Sequence, residues 1–449
     1  MRPVLCFVPG QFVTALLAVA TNSGPALAAD AVSRSLRRTP VVIVVENARD
    51  SVVNIAATQV MEIKSGLGWV PDLFDPPFSD RQPRRYERTS LGSGFILHPD
   101  GYVVTNAHVA ARAARLKITF ADGSEHEADP VAFDDSHDLA VLKIKEKGTF
   151  PAIRLGRSDD ILIGETVVTI GNPLGYQHTV TTGIVSAVDR KITFNDGNTY
   201  QGLIQTDTGI NPGNSGGPLL NILGELIGIT TAIRGDAQNI GFAIPVDTLR
   251  KSLPAMLSTE HRQRLRIGLR LTWHGMVQVV EATGPAAAAG VEPGDELVSI
   301  NSHPIAHDFD FYIHLLQADP KKRLTLGLKR GGKSITAAIT PEAIPVPDGA
   351  VLLRQKFGLV VRLLTPEQIR KLDIDGRLLI TQVERGSPAE RAGFVPGLII
   401  FQIGKFFPGN LEEVGVILEH VGRGEKMTFK VYEVQQMFIR VLAGSLTAR

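Results

Sequence analysis

Apolar residues fall into short runs through the middle of the chain. Between Leu91 and about Ile244 these are Gly94–Leu97, Tyr102–Thr105, Leu116–Phe120, Leu139–Leu142, Thr166–Ile170, Gly183–Val188 and Leu226–Thr230, with turn residues between them. Repeated short strands with frequent turns predict an all-β barrel or sandwich rather than an alternating α/β domain. The spacing changes after that. Leu249, Leu253 and Leu257 lie four apart and predict a helix over Val246–Leu257, opened by Asp247. Residues 258–266 are polar and basic and read as a linker. Residues 64–90 hold Gly66, Gly68, Pro71, Pro76, Pro77 and Pro83, a density that interrupts helix and ladder alike, so a flexible loop is expected there.

The C-terminal part repeats itself. Gly284-Pro285-Ala286 through Val291-Glu292-Pro293-Gly294-Asp295 to Ile300-Asn301 recurs, 102 residues later, as Gly386-Ser387-Pro388 through Phe394-Val395-Pro396-Gly397-Leu398 to Ile403-Gly404. A Gly-flanked apolar segment precedes each copy: Ile267-Gly268-Leu269 and Phe357-Gly358-Leu359. A helix candidate follows each, around Phe309–Leu316 and Leu411–Glu419. Two similar units of about 80–90 residues are expected.

Composition narrows the classes. With 449 residues, 43% of them hydrophobic, about three domains with real cores are expected. Lys and Arg total 47 against 46 Asp and Glu, a balance unlike that of a nucleic-acid or anionic-membrane binder. No internal apolar run reaches 18 residues, so no membrane span is expected within the body of the chain. At the start, Arg2, the mostly apolar stretch Val4–Ala20 and Ala26-Leu27-Ala28 read as an export signal, residues 1–28, cleaved near Ala28. The single cysteine, Cys6, falls inside it without a lipobox. Disulfide, thiol and cysteine-metal chemistry are then excluded for the mature chain. Losing Arg2 and no acidic residue would also leave that chain neutral.

Three segments carry candidate chemistry: Thr105-Asn106-Ala107-His108-Val109, Asp138-Leu139-Ala140-Val141-Leu142-Lys143 and Asn211-Pro212-Gly213-Asn214-Ser215-Gly216-Gly217-Pro218-Leu219. Each alone fits an ordinary structural role. Together they supply what an alcohol nucleophile needs. The Ser215 hydroxyl requires a base within hydrogen-bond reach, a neutral imidazole suits that task, and a carboxylate must hold the imidazole's tautomer. The glycines let the N–H groups of Gly213 and Ser215 converge on a developing oxyanion, each such donor being worth about 3–4 kcal/mol of barrier. Gly213-Asn214-Ser215-Gly216-Gly217 also fits the Gly-x-Ser-x-Gly elbow of α/β-hydrolases. That fold places its acid and His after the Ser and a helix behind it, whereas here both precede it and no helical run follows.

These residues resemble the trypsin-like serine proteases, and among them the HtrA (DegP-like) family. The matching segments are Leu91-Gly92-Ser93-Gly94-Phe95, the His108, Asp138 and Ser215 segments, Gly171-Asn172-Pro173-Leu174-Gly175, Gln205-Thr206-Asp207 and Gly241-Phe242-Ala243-Ile244-Pro245. The repeats look like PDZ domains. The resemblance implies a mainly β fold: a trypsin-like double β-barrel protease domain over 29–257, then two PDZ-like α+β domains over 264–345 and 352–445. It implies His108 as base, Asp138 as its orienter and Ser215 as nucleophile, without cofactor or metal. It further implies a bacterial periplasmic, ATP-independent endopeptidase acting on unfolded polypeptides and assembled as a homotrimer or larger. A proteolytically silent PDZ scaffold is the rival, against which the filled triad argues. A cytoplasmic quality-control protease would need an uncleaved N-terminus.

Substrate preference follows from residues near the nucleophile. Thr208, Gly209 and Ile210, before the turn, and Ile229, Thr230, Thr231 and Ala232, on a neighbouring strand, are uncharged. They are expected to line a pocket for small aliphatic residues, with the strand pairing to the substrate backbone. Ile267, Gly268 and Leu269, and likewise Phe357, Gly358 and Leu359, resemble loops that capture a peptide's terminal carboxylate. The second repeat has Leu398 where the first has Asp295, which puts its peptide binding in doubt. Glu125-His126-Glu127 is expected to be a solvated turn rather than a metal site.

Overall fold

Thr39 opens helix α1 (Pro40–Ala48). Its hydroxyl accepts from the Val42 N–H at 3.4 Å, and Pro40 occupies a first-turn position where no N–H is missed. Val44 and Ala48, four apart, are its buried residues. The computed structural model describes residues 35–63, 84–111, 113–171, 179–193, 199–211, 213–233, 239–258, 260, 263–319, 322–372, 374, 376–404, 406–435 and 438–449. They form two units divided between Leu257 and Ser258. The expected export signal, residues 64–83 of the expected loop and the Asn172–Gly175 part of one motif lie outside the described residues.

The first unit holds two closed antiparallel barrels. One comprises β1 (Val52–Ile63), β2 (Arg84–His98), β3 (Tyr102–Thr105), β4 (Arg115–Thr119), β5 (Glu125–Asp134) and β6 (Leu139–Ile144), in the order β1-β2-β3-β6-β5-β4, with the one-turn helix α2 (Ala107–Ala110) after β3. The other comprises β7 (Thr166–Gly171), β8 (Thr179–Thr193), β9 (Thr199–Thr206), β10 (Pro218–Asn221), β11 (Leu226–Ile233) and β12 (Gly241–Pro245), in the order β10-β11-β12-β9-β8-β7. Alternation sets the register. In β4, Leu116 and Ile118 are buried while Arg115 and Lys117 are exposed, so a slip of one residue would turn both charges inward. Helix α3 (Val246–Met256) ends the unit and buries Leu249, Ser252 and Leu253.

Two segments differ from expectation. Residues 84–90, expected in a loop, begin β2 and pair with Ala57–Ile63 of β1. Pro83 is the last proline of that stretch, so every residue from Arg84 on has an N–H for the ladder. Glu125-His126-Glu127 is not a turn but the start of β5, facing Lys117–Thr119. The two glutamates are exposed. The His126 ring turns inward, edge-on to Phe120 at 5.4 Å and to Phe150 at 5.6 Å, so it acts as a packing residue.

The second unit contains the repeat as two similar sheets. The first has β14 (Leu269–Trp273), β15 (Val277–Ala282), α4 (Gly284–Ala288), β16 (Glu296–Ile300), β17 (His303–Pro304), α5 (Asp308–Gln317), β18 (Leu324–Arg330) and β19 (Lys333–Ile339). A small ribbon of β13 (Leu265–Arg266) and β20 (Glu342–Ala343) flanks it. The second has α6 (Gly349–Phe357), β21 (Leu359–Leu363), α7 (Pro366–Leu372), β22 (Leu378–Val383), α8 (Pro388–Arg391), β23 (Ile399–Ile403), α9 (Leu411–Glu419), β24 (Lys426–Gln435) and β25 (Phe438–Thr447). The first sheet runs β14-β15-β16-β18-β19, with β17 paired to β16 off that path, and the second β21-β22-β23-β24-β25. Asp295 is buried, receives two bonds from the Arg330 guanidinium at 2.6 and 2.8 Å, and is held below its ordinary pKa chiefly by them. Leu398 takes the matching place as a core residue beside Phe394 and Ile400. The same turn is thus fixed by an ion pair in one copy and by apolar packing in the other. The second core also takes in Leu446 and Ala448, beyond the expected limit of 445, and α6 begins before 352. Arg264 joins the copies: its guanidinium bonds the Ile344 and Pro345 carbonyls and pairs with Glu419 of α9 at 2.8 Å.

Candidate active site

His108 sits in α2, directly after β3, and Asp138 ends the turn joining β5 to β6. Since β3 and β6 are paired, with Thr105 opposite Ala140, two residues 30 apart in sequence become neighbours. Asp138 is buried at 5% exposure. Its Oδ1 accepts from the His108 backbone N–H at 3.0 Å and contacts Nδ1 at 3.0 Å; its Oδ2 contacts Nδ1 at 2.8 Å. A carboxylate against Nδ1 keeps the proton there and leaves Nε2 with its lone pair, the form a general base requires. The imidazole itself is about half exposed, open to an incoming group.

The carboxylate has another partner that no local pattern in the sequence marks. Thr231, expected on a pocket wall, donates its hydroxyl to Asp138 Oδ2 at 2.7 Å. The side chains of its neighbours on β11 also point into the structure. Ile229 is fully buried, and the Thr230 hydroxyl donates to the Asn214 carbonyl at 2.6 Å, beneath the Ser215 turn. The Thr230 backbone is occupied too: its N–H goes to the Gly217 carbonyl and its carbonyl receives the Gly216 N–H. The side chains of Thr230 and Thr231 therefore brace the Ser215 turn and Asp138, and that of Ile229 belongs to the core. The Ala232 side chain lies outside the described residues.

Ser215 occupies the turn before β10. Its hydroxyl donates to the Thr231 carbonyl at 3.2 Å. Within the turn, the N–H groups of Asn214, Gly216 and Gly217 donate to the carbonyls of Asn211, Thr230 and Asn214. Among the described residues, that leaves the Gly213 and Ser215 N–H groups uncommitted. Gly213 has φ +106°, a conformation that side chains of L-residues resist. The first barrel braces the turn: Ser93 of β2 gives its hydroxyl to the Gly213 carbonyl at 2.6 Å and its N–H to the Ser215 carbonyl at 2.9 Å. Gly216 comes so close to Thr105 Oγ1 and the Ser93 carbonyl that a Cβ there would overlap both.

Of the residues before the turn, Thr208 is buried, Ile210 is buried against Gly241, and Gly209 is exposed. The Gly209 carbonyl accepts from Thr181 Oγ1 at 3.1 Å and from Asn214 Nδ2 at 3.3 Å, which ties it to the nucleophile's turn.

The two carboxylate-loop candidates differ. Ile267 is buried and Gly268 (φ +78°) leads into β14, the edge strand of its sheet. Phe357, by contrast, is the last residue of α6, and the Gly358 N–H is occupied as that helix's cap, bonded to the Arg354 carbonyl at 2.9 Å. The Gly358 N–H is therefore already committed to the helix cap.

The family of trypsin-like peptidase domains matches residues 92–229, and that of PDZ domains matches residues 276–330. A probable periplasmic serine endoprotease, DegP-like, from Chlamydia muridarum is 36% identical over 384 residues, covering 80% of this chain and 76% of that protein. A protein of the same description from Pseudomonas fluorescens is 34% identical over 448 residues, covering 87% and 92%. Among solved structures, an HtrA-type protease AlgW with decapeptide is 33% identical and covers 68% of this chain and 98% of that one, with a TM-score of 0.39.

Proposed function

Because the chain belongs to the HtrA (DegP-like) family of trypsin-like serine endopeptidases and carries a PDZ domain, we propose that Ser215, His108 and Asp138 are its catalytic triad and that the Gly213 and Ser215 N–H groups form its oxyanion hole. The observation that carries this is the buried Asp138 carboxylate holding both the backbone and the Nδ1 of His108. In the reaction, the Ser215 hydroxyl turns from the Thr231 carbonyl to His108 Nε2, which takes its proton as Oγ bonds to the scissile carbonyl carbon. The carbonyl electron pair moves onto oxygen, facing the two N–H groups. His108 passes the proton to the leaving amine nitrogen as the C–N bond breaks. Water then attacks the acyl-enzyme by the same route, releasing the carboxylic acid and restoring the hydroxyl.

The substrates are unfolded polypeptides, cleaved after small aliphatic residues. The uncharged Thr208-Gly209-Ile210 segment supports this, since it offers no carboxylate to a Lys or Arg side chain. Ile267-Gly268-Leu269 at an edge strand supports capture of C-terminal peptides by the first repeat. The naming of relatives as periplasmic supports that compartment. Exposed Leu36, Leu162 and Ile163 supply apolar surface for a trimer or larger assembly. Casein digestion tests the core of the reading: wild type degrades it and Ser215→Ala does not. Equal digestion by both would refute the triad.

A further inference from the structure

A second constellation of Asp, His and Ser lies beside the first. Asp134 ends β5, His137 directly precedes Asp138, and Ser252 comes from α3. It cannot serve as another nucleophilic triad. The Ser252 hydroxyl and His137 Nδ1 both point at one oxygen, Asp134 Oδ2, each at 2.7 Å, so the hydroxyl is donated to the carboxylate rather than to a basic nitrogen. What the arrangement does is close a turn. Asp134 Oδ1 accepts from the Ser136 N–H at 3.0 Å, the Ser136 hydroxyl at 2.5 Å and the His137 N–H at 3.2 Å. Five donors thus converge on one half-buried carboxylate, and the next residue after those it holds is Asp138.

Asp138 needs such support. Its φ is +55°, in the left-handed region that a side chain disfavours and that persists only where the surroundings over-determine it. On its far side the backbone is fixed by the first barrel, its carbonyl accepting from the Ala107 N–H at 3.1 Å and from Asn106 Nδ2 at 2.9 Å. On its near side the fixing group is Asp134. We propose that Asp134 is a positioning residue for the reaction: anchored to α3 through Ser252, it holds the Ser136–His137 turn so that Asp138 stays in its left-handed conformation with its carboxylate on His108. This rests on the reading of Asp138 as the orienter of His108.

The test compares Asp134→Ala, Ser252→Ala and Ser215→Ala in the full chain. It uses initial rates on a chromogenic peptide and the downfield proton signal of His108 Nδ1–H in the NMR spectrum. Asp134→Ala is expected to lower kcat about tenfold with KM within twofold, and Ser252→Ala to lower it about threefold. Both should shift or broaden the Nδ1–H signal, which a general loss of stability in a still-folded protein would leave in place. A folded Asp134→Ala with wild-type kcat and an unmoved signal overturns the proposal. If Asp134→Ala does not fold, Ser252→Ala decides in the same terms, and Ser252→Thr, which keeps the hydroxyl, should restore the rate. Loss of activity in Ser215→Ala shows the triad reading to stand independently. Full activity there would sink that reading first.

Discussion

At the scale of single residues, the site depends on groups that neither attack nor carry protons. Thr231 is the clearest. Its hydroxyl donates to Asp138 Oδ2, and a hydrogen bond to a charged acceptor is worth about 1.5–3 kcal/mol. Thr231→Val, nearly the same shape without the donor, is therefore expected to lower kcat about tenfold or more while the protein remains folded. Steady-state kinetics with a thermal melt checks this, and an unchanged kcat would show the hydroxyl to be dispensable. Asp134 leaves a mark on stability as well. Burial pushes its pKa up, but the bonds from Ser136, His137 and Ser252 more than reverse that, leaving it at about 2 against an ordinary 3.8. A carboxyl depressed on folding contributes stability at pH above its unfolded value and loses it as pH falls through the folded one. Discounted for the solvent that still screens this half-buried group, on the order of 1 kcal/mol should therefore disappear between roughly pH 4 and pH 2. Denaturant titrations over that range should show the loss, and it should be absent in Asp134→Asn.

At the scale of elements, the nucleophile's turn is clamped between barrels. Gly216 has φ +84° and lies against Thr105 and Ser93. Gly216→Ala is accordingly expected to cost several kcal/mol and most of the activity, as an overpacked and strained site does. A Gly216→Ala variant with wild-type melting temperature would contradict the clamp. Much at this scale was legible in the sequence. Tyr102–Val104 and Leu139–Leu142 show as unbroken apolar runs because their strands are buried there on both faces. Others were hidden. Val52–Ile63 is interrupted by Asn54, Thr58 and Gln59, and Pro218–Asn221 spans only four residues. Their strand character comes from long-range pairing, which no local window contains. The role of Thr231 was hidden for the same reason: its partner is 93 residues away. The apolar, β-branched run Leu226–Thr230 marks β11 as a strand, but not which way each of its side chains points.

At the scale of the whole molecule, the repeat offset was readable because the turns recur, and the protease motifs were readable because their chemistry restricts the residue types. The occupation of Gly358 as a helix cap was not, since Phe357-Gly358-Leu359 resembles Ile267-Gly268-Leu269 until α6 is known to precede it. Two units with separate cores should also unfold separately. Calorimetry is expected to resolve more than one transition, with Asp295→Ala lowering one of them and leaving the other. A single transition that moves as a whole would mean the units melt together.

Arg264 carries one more implication. Its guanidinium is only 15% exposed and its partner Glu419 28%, so the pair that ties the start of the β13–β20 ribbon to α9 lies where water screens it little. With the Ile344 and Pro345 carbonyls on the same side chain, the two halves should reorient in solution as one particle, sharing a single rotational correlation time. Arg264→Ala would then let each half tumble on its own clock.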